Sequence, residues 1–166
     1  MNSDIKLIIG LGNPGRKYEN TYHSVGFLFV DYLKENQQIF NFKFSILKST
    51  EYMNKSGKFV AEAVKKEGIE SEELLVAHDD SDLELGTYKL QIGRGAGGHH
   101  GVESIQQHLK TNEFWRLRIG IRPSPSEAST KDGRHLKAGE FVLKKISPVN
   151  KKILEKVFEK IAEELK

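Results

Sequence analysis

Side chains that could activate water follow three apolar runs of this sequence. His23 lies in the stretch GLGNPGRKYENTYHSVG (10–26), behind the first apolar run, and Asp79 directly follows the run LLVAH (74–78). An imidazole can take a proton from water when a carboxylate holds its other ring nitrogen. We therefore predict that His23 is a general base and that Asp79 is its partner. The polar residues behind the three runs are Asn13, His23, His78, Asp79, His99 and His100.

Two other hydrolytic chemistries have weaker support. The sequence contains no cysteine and no GxSxG motif, so a covalent cysteine or serine route is not indicated. Histidines and aspartates could hold a hydrolytic metal, but no HExxH or similarly spaced ligand set is present. We expect no metal, and a metal hydrolase stays open as a minor alternative. Its candidate ligands are His23, His78, His99, His100, Asp79 and Asp82.

The glycines of GLGNPG match the GxGxxG pattern of dinucleotide sites at Gly10, Gly12 and Gly15. That reading requires the last glycine to open a helix and an acidic residue to end the next strand. Here Pro14 interrupts the loop, and the next candidate strand, FNFKFSILK, ends without an acid. We therefore expect no nucleotide cofactor, and no other cofactor is indicated.

Basic residues flank the predicted site and would suit a phosphate. Strand alternation puts Arg116 and Arg118 on one face, with Leu117 and Ile119 on the other. Two arginines beside a glycine-rich loop favour an anion site, although a solvated strand surface explains them too. The basic residues concerned are Lys89, Arg94, Arg116, Arg118 and Arg122.

Apolar periodicity predicts strands that alternate with helices. This order predicts an α/β fold: a single-domain three-layer sandwich with a twisted, mixed but mostly parallel sheet and helices on both faces. Ligands bind beyond the carboxyl ends of the strands in such folds, where the polar residues named above lie. The predicted strands are 5–9, 40–48, 74–78, 87–93 and 115–121; the predicted helices are 24–36, 56–66, 101–110 and 149–165; the acidic residues 79–86 are predicted to be a loop.

Length and composition indicate one domain that covers residues 1–166, with 37% hydrophobic and 30% charged residues. The polar segment 122–140 is its only long loop, and loops of this length are often lids. No apolar run is long enough for a bilayer, and the start MNSDIKL resembles no targeting segment. We expect a cytoplasmic monomer without a membrane contact.

Five motifs, taken in order, resemble the bacterial-type peptidyl-tRNA hydrolases. They are GLGNPGRKYENTYHSVG, YMNKSG, LLVAHDDSDLELG, GAGGHHG and FWRLRIGI. The similarity runs from about Ile5 to the final helix. It implies an enzyme that cleaves the ester between a peptide and the 3′ end of tRNA, and so recycles tRNA from stalled translation. It also implies that neither a metal nor a covalent intermediate takes part.

The resemblance implies a role for each matching residue. His23 matches the base that activates water, and Asp79 matches the carboxylate that orients it. The segment at about 122–148 matches a mobile lid over the cleft. The substrate-binding matches are Asn13 and Asn54 for the peptide and carbonyl groups, Tyr18 for the site wall, Arg118 with Lys89 for the tRNA phosphate, and His99 with His100 for the substrate or the water.

Three positions depart from the family pattern. His100 stands where the family usually has asparagine, and Ser24 stands where asparagine often follows the histidine that matches the base. Gln91 replaces a common lysine. A second hypothesis is therefore a catalytically weak, hydrolase-like RNA-binding protein. The retained His23 and Asp79 favour the enzyme.

Overall fold

Five strands form one twisted sheet in the computed structural model, which describes residues 4–166. The strand order is β2-β1-β3-β5-β4, and β4 alone runs antiparallel to its neighbour. The strands are β1 (Leu7–Gly10), β2 (Ser45–Lys48), β3 (Leu74–Glu84), β4 (Tyr88–Ile92) and β5 (Trp115–Arg122).

Helices cover both faces of this sheet. They are α1 (Val25–Glu35), α2 (Gln37–Phe40), α3 (Ser56–Glu67), α4 (His100–Leu109), α5 (Ala138–Phe141) and α6 (Pro148–Leu165). Alternate residues of the buried strands point to opposite faces, so each strand contributes to two cores. Ile8 and Leu75 pack with α1 and α6, whereas Leu7 and Leu74 pack with α3 and α4. The predicted three-layer α/β sandwich is confirmed.

Two glycines let α1 lie directly against the sheet. A Cβ atom on Gly10 would come within 2.3 Å of the Gly26 carbonyl oxygen, and one on Gly26 within 2.4 Å of the Ala77 carbonyl oxygen. Such distances are far inside van der Waals contact, so only glycine fits at either position. This close approach fixes the start of α1, and His23 lies just before it in a 3-10 turn, Tyr22–Ser24.

The prediction of a strand over 40–48 is wrong for its first half. Residues 37–40 form α2, Asn41 adopts a left-handed conformation with φ 52°, and only Ser45–Lys48 pairs with β1. The alternating phenylalanines instead stack on one another, with ring centroids 5.3 Å apart for Phe40 and Phe42 and 4.8 Å for Phe42 and Phe44. Aromatic packing in a turn thus produced the same alternation as a strand.

The acidic segment after Asp79 is strand rather than the predicted loop. β3 continues to Glu84 beside β5, with a register shift between Asp80 and Glu84. Arginines of β5 neutralise the extension, because Arg118 binds Asp80 and Arg122 binds Glu84. The final helix turns Leu154, Val157 and Ile161 to the core, whereas Ile153 is exposed.

The remaining helices lie within a residue or two of their predicted bounds. Within residues 4–166, none of the helices combines the length and apolar character that crossing a membrane requires. The interpretation of the start MNSDIKL depends partly on residues 1–3, which lie outside the described residues.

Candidate active site

Three side chains from distant parts of the chain meet at the carboxyl end of β3. His23 precedes α1, Asp79 lies within β3, and His99 is the N-cap residue of α4. His23 Nδ1 lies 3.0 Å from each carboxylate oxygen of Asp79, and His99 Nε2 lies 2.9 Å from Oδ1. One buried carboxylate therefore accepts hydrogen bonds from two imidazoles.

The helix cap determines which nitrogen of His99 carries its proton. The backbone N–H of Val102 donates to His99 Nδ1 over 3.3 Å, so that nitrogen is the acceptor and Nε2–H donates to Asp79. His23 donates its Nδ1–H to the same carboxylate. Its Nε2 has no hydrogen-bond partner among the described residues, and the side chain keeps 18% of its surface exposed.

The pKa values of the pair support this arrangement. Burial alone would raise the pKa of Asp79, but the electrostatic effect of the adjacent His99 and the hydrogen bonds from His23 and His99 hold it well below its usual range. Burial lowers the pKa of His23, yet the hydrogen bond and the charge of Asp79 outweigh it and raise that pKa above its ordinary value. Asp79 is thus ionised, and His23 is a stronger base than an isolated histidine.

His78 is adjacent to this group but differs from it chemically. Its side chain is buried, its Nδ1–H donates to the Asp79 carbonyl oxygen over 2.7 Å, and its ring centroid is 4.6 Å from that of His99. Burial, followed by the electrostatic effect of the adjacent His99, lowers the pKa of His78 to about 3. The ring is therefore neutral at physiological pH and packs beneath His99.

A metal ion fits the observed arrangement poorly. The ligand atoms of His23, Asp79 and His99 lie within 4.8 Å of one another, which is a usable spacing for a cation. However, both imidazoles already donate an N–H hydrogen bond to Asp79, and a cation would displace both hydrogen bonds. The other candidate ligands lie apart from the three, with His78 bonded to a carbonyl oxygen and His100 close to Glu103.

Asn13 faces the pair from the loop after β1. Its side-chain oxygen accepts the backbone N–H of Met53 over 2.8 Å, which orients the amide group. The backbone N–H of Asn13 reaches the hydroxyl of the buried Ser24 at 3.4 Å. No residue of the described range 4–166 accepts a hydrogen bond from the Asn13 NH₂ group, so this group can donate one to a ligand. Asn54 lies beside it in the turn Met53–Lys55.

A cleft of about 850 Å³ opens above these groups. The glycine-rich loop before α4 forms one wall, Tyr52 and Met53 form another, and Val142 and Leu143 form a third. Tyr52 and Leu143 leave about half of their side chains exposed there. The cleft thus combines apolar walls with a few convergent polar groups, as small-molecule and peptide sites do.

A late segment of the chain holds His23 in place. The backbone N–H of His23 donates to the Val142 carbonyl oxygen over 2.7 Å, that of Tyr22 to Lys144 over 3.2 Å, and that of Ile146 to Asn20 over 2.7 Å. The segment 142–146 therefore forms both a wall of the cleft and the support for the turn that carries His23.

Comparison with known proteins identifies the family. A family profile described as peptidyl-tRNA hydrolase matches residues 7–166. The chain belongs to the peptidyl-tRNA hydrolase family. Peptidyl-tRNA hydrolase from Aquifex aeolicus is 36% identical over 95% of this chain and 86% of its own, and that from Hydrogenobaculum sp. is 40% identical over 93% and 88%. The crystal structure of peptidyl-tRNA hydrolase from Acinetobacter baumannii superimposes with a TM-score of 0.79, at 31% identity over 98% of this chain and 87% of that one.

Most site residues predicted for this member of the peptidyl-tRNA hydrolase family line one cleft. They are Asn13, His23, Asn54, Asp79, His99, His100 and Arg118. Tyr18 and Lys89 are not among the lining residues. Tyr18 packs edge-on against Tyr52 at 6.3 Å between ring centroids, whereas Lys89 is exposed on β4 opposite Arg118.

The family departures occupy distinct places in the fold. His100 is exposed at the start of α4 and lies 3.2 Å from Glu103. Ser24 is buried and joins the Asn13 loop to the His23 turn. Gln91 accepts a hydrogen bond from Arg118 over 2.9 Å.

Sequence reasoning missed two apolar walls of the cleft. Tyr52 could have been predicted, because it is the first residue of the YMNKSG motif that carries Asn54. Leu143 lies in the short apolar run FVL (141–143) of the segment predicted only as a lid, and the pairing of 142–146 with residues 20–23 brings it to the site. No local signal in the sequence indicates that contact.

Proposed function

We propose that this chain hydrolyses the ester between a peptide and the 3′ end of tRNA, with His23 as the general base. The observation that carries the proposal is His23 itself, whose Nδ1 is bound to ionised Asp79 while Nε2 is open to the cleft. Family membership supplies the substrate class, since the relatives named above are peptidyl-tRNA hydrolases.

The reaction proceeds in two steps. A water molecule donates a hydrogen bond to His23 Nε2 and attacks the ester carbonyl carbon, and Nε2 takes its proton. The C=O bond opens to a tetrahedral oxyanion. When the oxyanion collapses, the bond to the ribose oxygen breaks, and that oxygen receives the proton from His23. The products are a peptide with a free carboxyl group and a tRNA with a free ribose hydroxyl.

Asp79 stabilises the histidine cation that exists between these steps, and His99 keeps Asp79 in place. The free NH₂ group of Asn13 and the amide of Asn54 donate to the peptide and to the developing oxyanion. A positioned general base contributes about 10²–10⁴-fold, and a hydrogen-bond donor at the oxyanion about 10²–10³-fold. An ester is already activated, so these contributions suffice without a metal or a covalent intermediate.

Two alternatives differ in their outcomes. A hydrolase-like RNA-binding protein would bind tRNA without turnover, and a metal hydrolase would lose activity with a chelator. The open Nε2 of His23 favours turnover, because a binding protein has no need of a buried carboxylate behind an accessible base. The two hydrogen bonds to Asp79 favour the metal-independent route.

We also infer a monomer in the cytoplasm, with a mobile lid at about 122–148. The large exposed apolar side chains Ile39 and Val149 lie on different elements, which is typical of scattered surface residues. A substrate produced in translation supports the location. The segment that holds Ala138, Gly139 and Leu143 borders the cleft, which supports a lid over the peptide.

The test uses an N-blocked aminoacyl-tRNA, with and without chelator, and follows release of the blocked amino acid. We expect release that survives chelator and falls about 10²–10⁴-fold in His23→Ala. A tRNA that stays bound without release would instead establish the RNA-binding alternative. Activity abolished by chelator and restored by a divalent metal would establish a metal hydrolase.

A further inference from the structure

Three arginines line the cleft, and they differ in how many of their donors are already used. Arg118 donates from Nε to Asp80 over 2.6 Å and from Nη1 to Gln91 over 2.9 Å. The hydrogen bond from Arg118 lowers the pKa of Asp80 although burial alone would raise it, so the pair carries no net charge. The charge of Arg118 is therefore balanced inside the protein, although only two of its five N–H groups have a partner among residues 4–166.

The guanidinium of Arg116 also has a hydrogen-bond partner inside the protein. Its side chain is buried, and Nη2 donates to the Gly95 carbonyl oxygen over 2.8 Å. The bond supports the glycine-rich loop from below. An arginine buried in this way stabilises the loop and is not accessible to a nucleic-acid backbone.

Arg94 is exposed, and its guanidinium has no hydrogen bond or ion pair among residues 4–166. Its backbone is nevertheless fixed, because Gln106 donates to its carbonyl oxygen over 2.9 Å. The neighbouring Gly93 donates to Asn112, and Gly95 accepts from Arg116. A free cation is thus presented at the cleft from an anchored position.

We propose that Arg94, the exposed arginine of the cleft, binds the phosphodiester backbone of the tRNA acceptor end. The inference rests on the proposed function and names the group that recognises the nucleic acid. Arg94 precedes His99 by five residues in the same loop, so their Cα atoms are at most about 17 Å apart. The phosphate next to the esterified nucleotide is one ribose away from the ester, which matches that reach. A guanidinium with free donors binds such a phosphate through two parallel hydrogen bonds.

The test compares Arg94→Gln, Arg94→Lys and Arg118→Gln, with Lys66→Gln as the matched loss of one exposed charge on α3, away from the cleft. Binding of a fluorescent acceptor-stem minihelix with an intact 3′ end is measured by anisotropy at several salt concentrations. We expect Arg94→Gln to weaken binding about tenfold. It should also reduce the salt slope by about 0.7 to 1. Arg94→Lys should keep the slope, since it keeps the charge.

Two substrates separate this inference from the proposed function. One is an N-acetyl-aminoacyl-tRNA, and the other is the N-acetyl-aminoacyl ester of adenosine, which has no phosphate. The preference for the tRNA substrate, expressed as the ratio of the two kcat/KM values, should fall about tenfold in Arg94→Gln. If the wild type cleaves neither substrate, the proposed function fails, and the anisotropy series still tests Arg94.

The inference is overturned if Arg94→Gln binds the minihelix as Lys66→Gln does. It is equally overturned if Arg118→Gln loses the tenfold affinity and the salt dependence in its place. A loss of kcat/KM that is the same for both substrates would show that Arg94 shapes the loop instead of binding phosphate.

Discussion

Asp79 and Asp80 are neighbours on β3, yet Asp79 binds two imidazoles of the candidate site, whereas Asp80 forms an ion pair with an arginine. Asp79 accepts hydrogen bonds from His23 and His99, and Asp80 accepts them from Arg118 and the backbone of Asp82. Both carboxylates are largely buried, with 4% and 12% of their side chains exposed. Both have pKa values below the ordinary range, so both are ionised.

The difference between the two carboxylates lies in whether the partner side chain can still accept a proton. Arg118 donates to Asp80 and Gln91, and none of its nitrogens can accept a proton. His23 gives one nitrogen to Asp79 and keeps the other open to the cleft. Burial and a shifted pKa therefore do not by themselves identify a catalytic carboxylate. We infer the catalytic carboxylate from a partner with a free proton-accepting nitrogen, which His23 has and Arg118 lacks.

The substitution Asp79→Asn tests this distinction most strongly. The amide would place its NH₂ group against the donor on His99 or His23, and His23 would lose the group that fixes its tautomer. We expect kcat/KM for N-blocked aminoacyl-tRNA to fall on the order of 10²-fold or more, with the folded structure retained. Steady-state kinetics beside circular dichroism check this, and nearly full activity would remove Asp79 from the mechanism.

The pH dependence of activity should follow His23. Protonated His23 cannot accept a proton, so kcat/KM should rise with pH through the raised pKa of His23 and then level off. In Asp79→Asn the lowering effect of burial remains without the opposing carboxylate, so the midpoint should move to lower pH. The ionised pair also stabilises the fold below the pKa of His23 and loses this contribution as pH rises through it. An unchanged midpoint in the variant would contradict the coupling.

His99→Asn should have an intermediate effect. Asparagine is a good N-cap residue, so α4 keeps its cap, but its side chain is too short to replace the hydrogen bond to Asp79. We expect about 1–3 kcal/mol less stability from the unsatisfied carboxylate oxygen and about a tenfold loss of kcat/KM. Urea unfolding and kinetics measure the two. A stability loss without any loss of activity would make His99 purely structural.

Asp80→Asn should have the smallest effect on turnover. The loss of a charge-assisted hydrogen bond to Arg118 should lower stability by about 1–3 kcal/mol. It also releases a cation into the cleft, so affinity for the tRNA minihelix should stay equal or increase, and kcat should change less than about threefold. A large drop in kcat would place Asp80 with Asp79 and abolish the contrast between them.

Much of the fold was predictable because its buried strands are continuous apolar runs. Residues 7–10 and 74–78 are buried on both faces, and a short apolar run bounded by turn residues is typical of a buried parallel strand. The predictions were wrong where contacts between side chains, rather than local apolar periodicity, determine the secondary structure. The acidic end of β3 is a strand because arginines of β5 lie beside it, and the phenylalanines at 40–44 pack on one another in a turn.

The pair His23 and Asp79 was predictable from chemistry and from the edge of the sheet at which both had to lie. The hydrogen bond between His99 and Asp79 was not, since it depends on where α4 begins and how His99 caps it. The hydrogen bond from Arg118 to Gln91 depends on the antiparallel register of β4 on β5, which no local sequence pattern predicts.

The pairing of segment 142–146 with the turn that carries His23 has a consequence for the order in which the molecule is made. The backbone of His23 hydrogen-bonds to Val142, so the base reaches its position only after that later segment has been synthesised and has docked. Domains fold progressively as they emerge from the ribosome. A nascent copy of this chain therefore lacks the backbone contacts that hold the His23 turn until residues 142–146 have been synthesised.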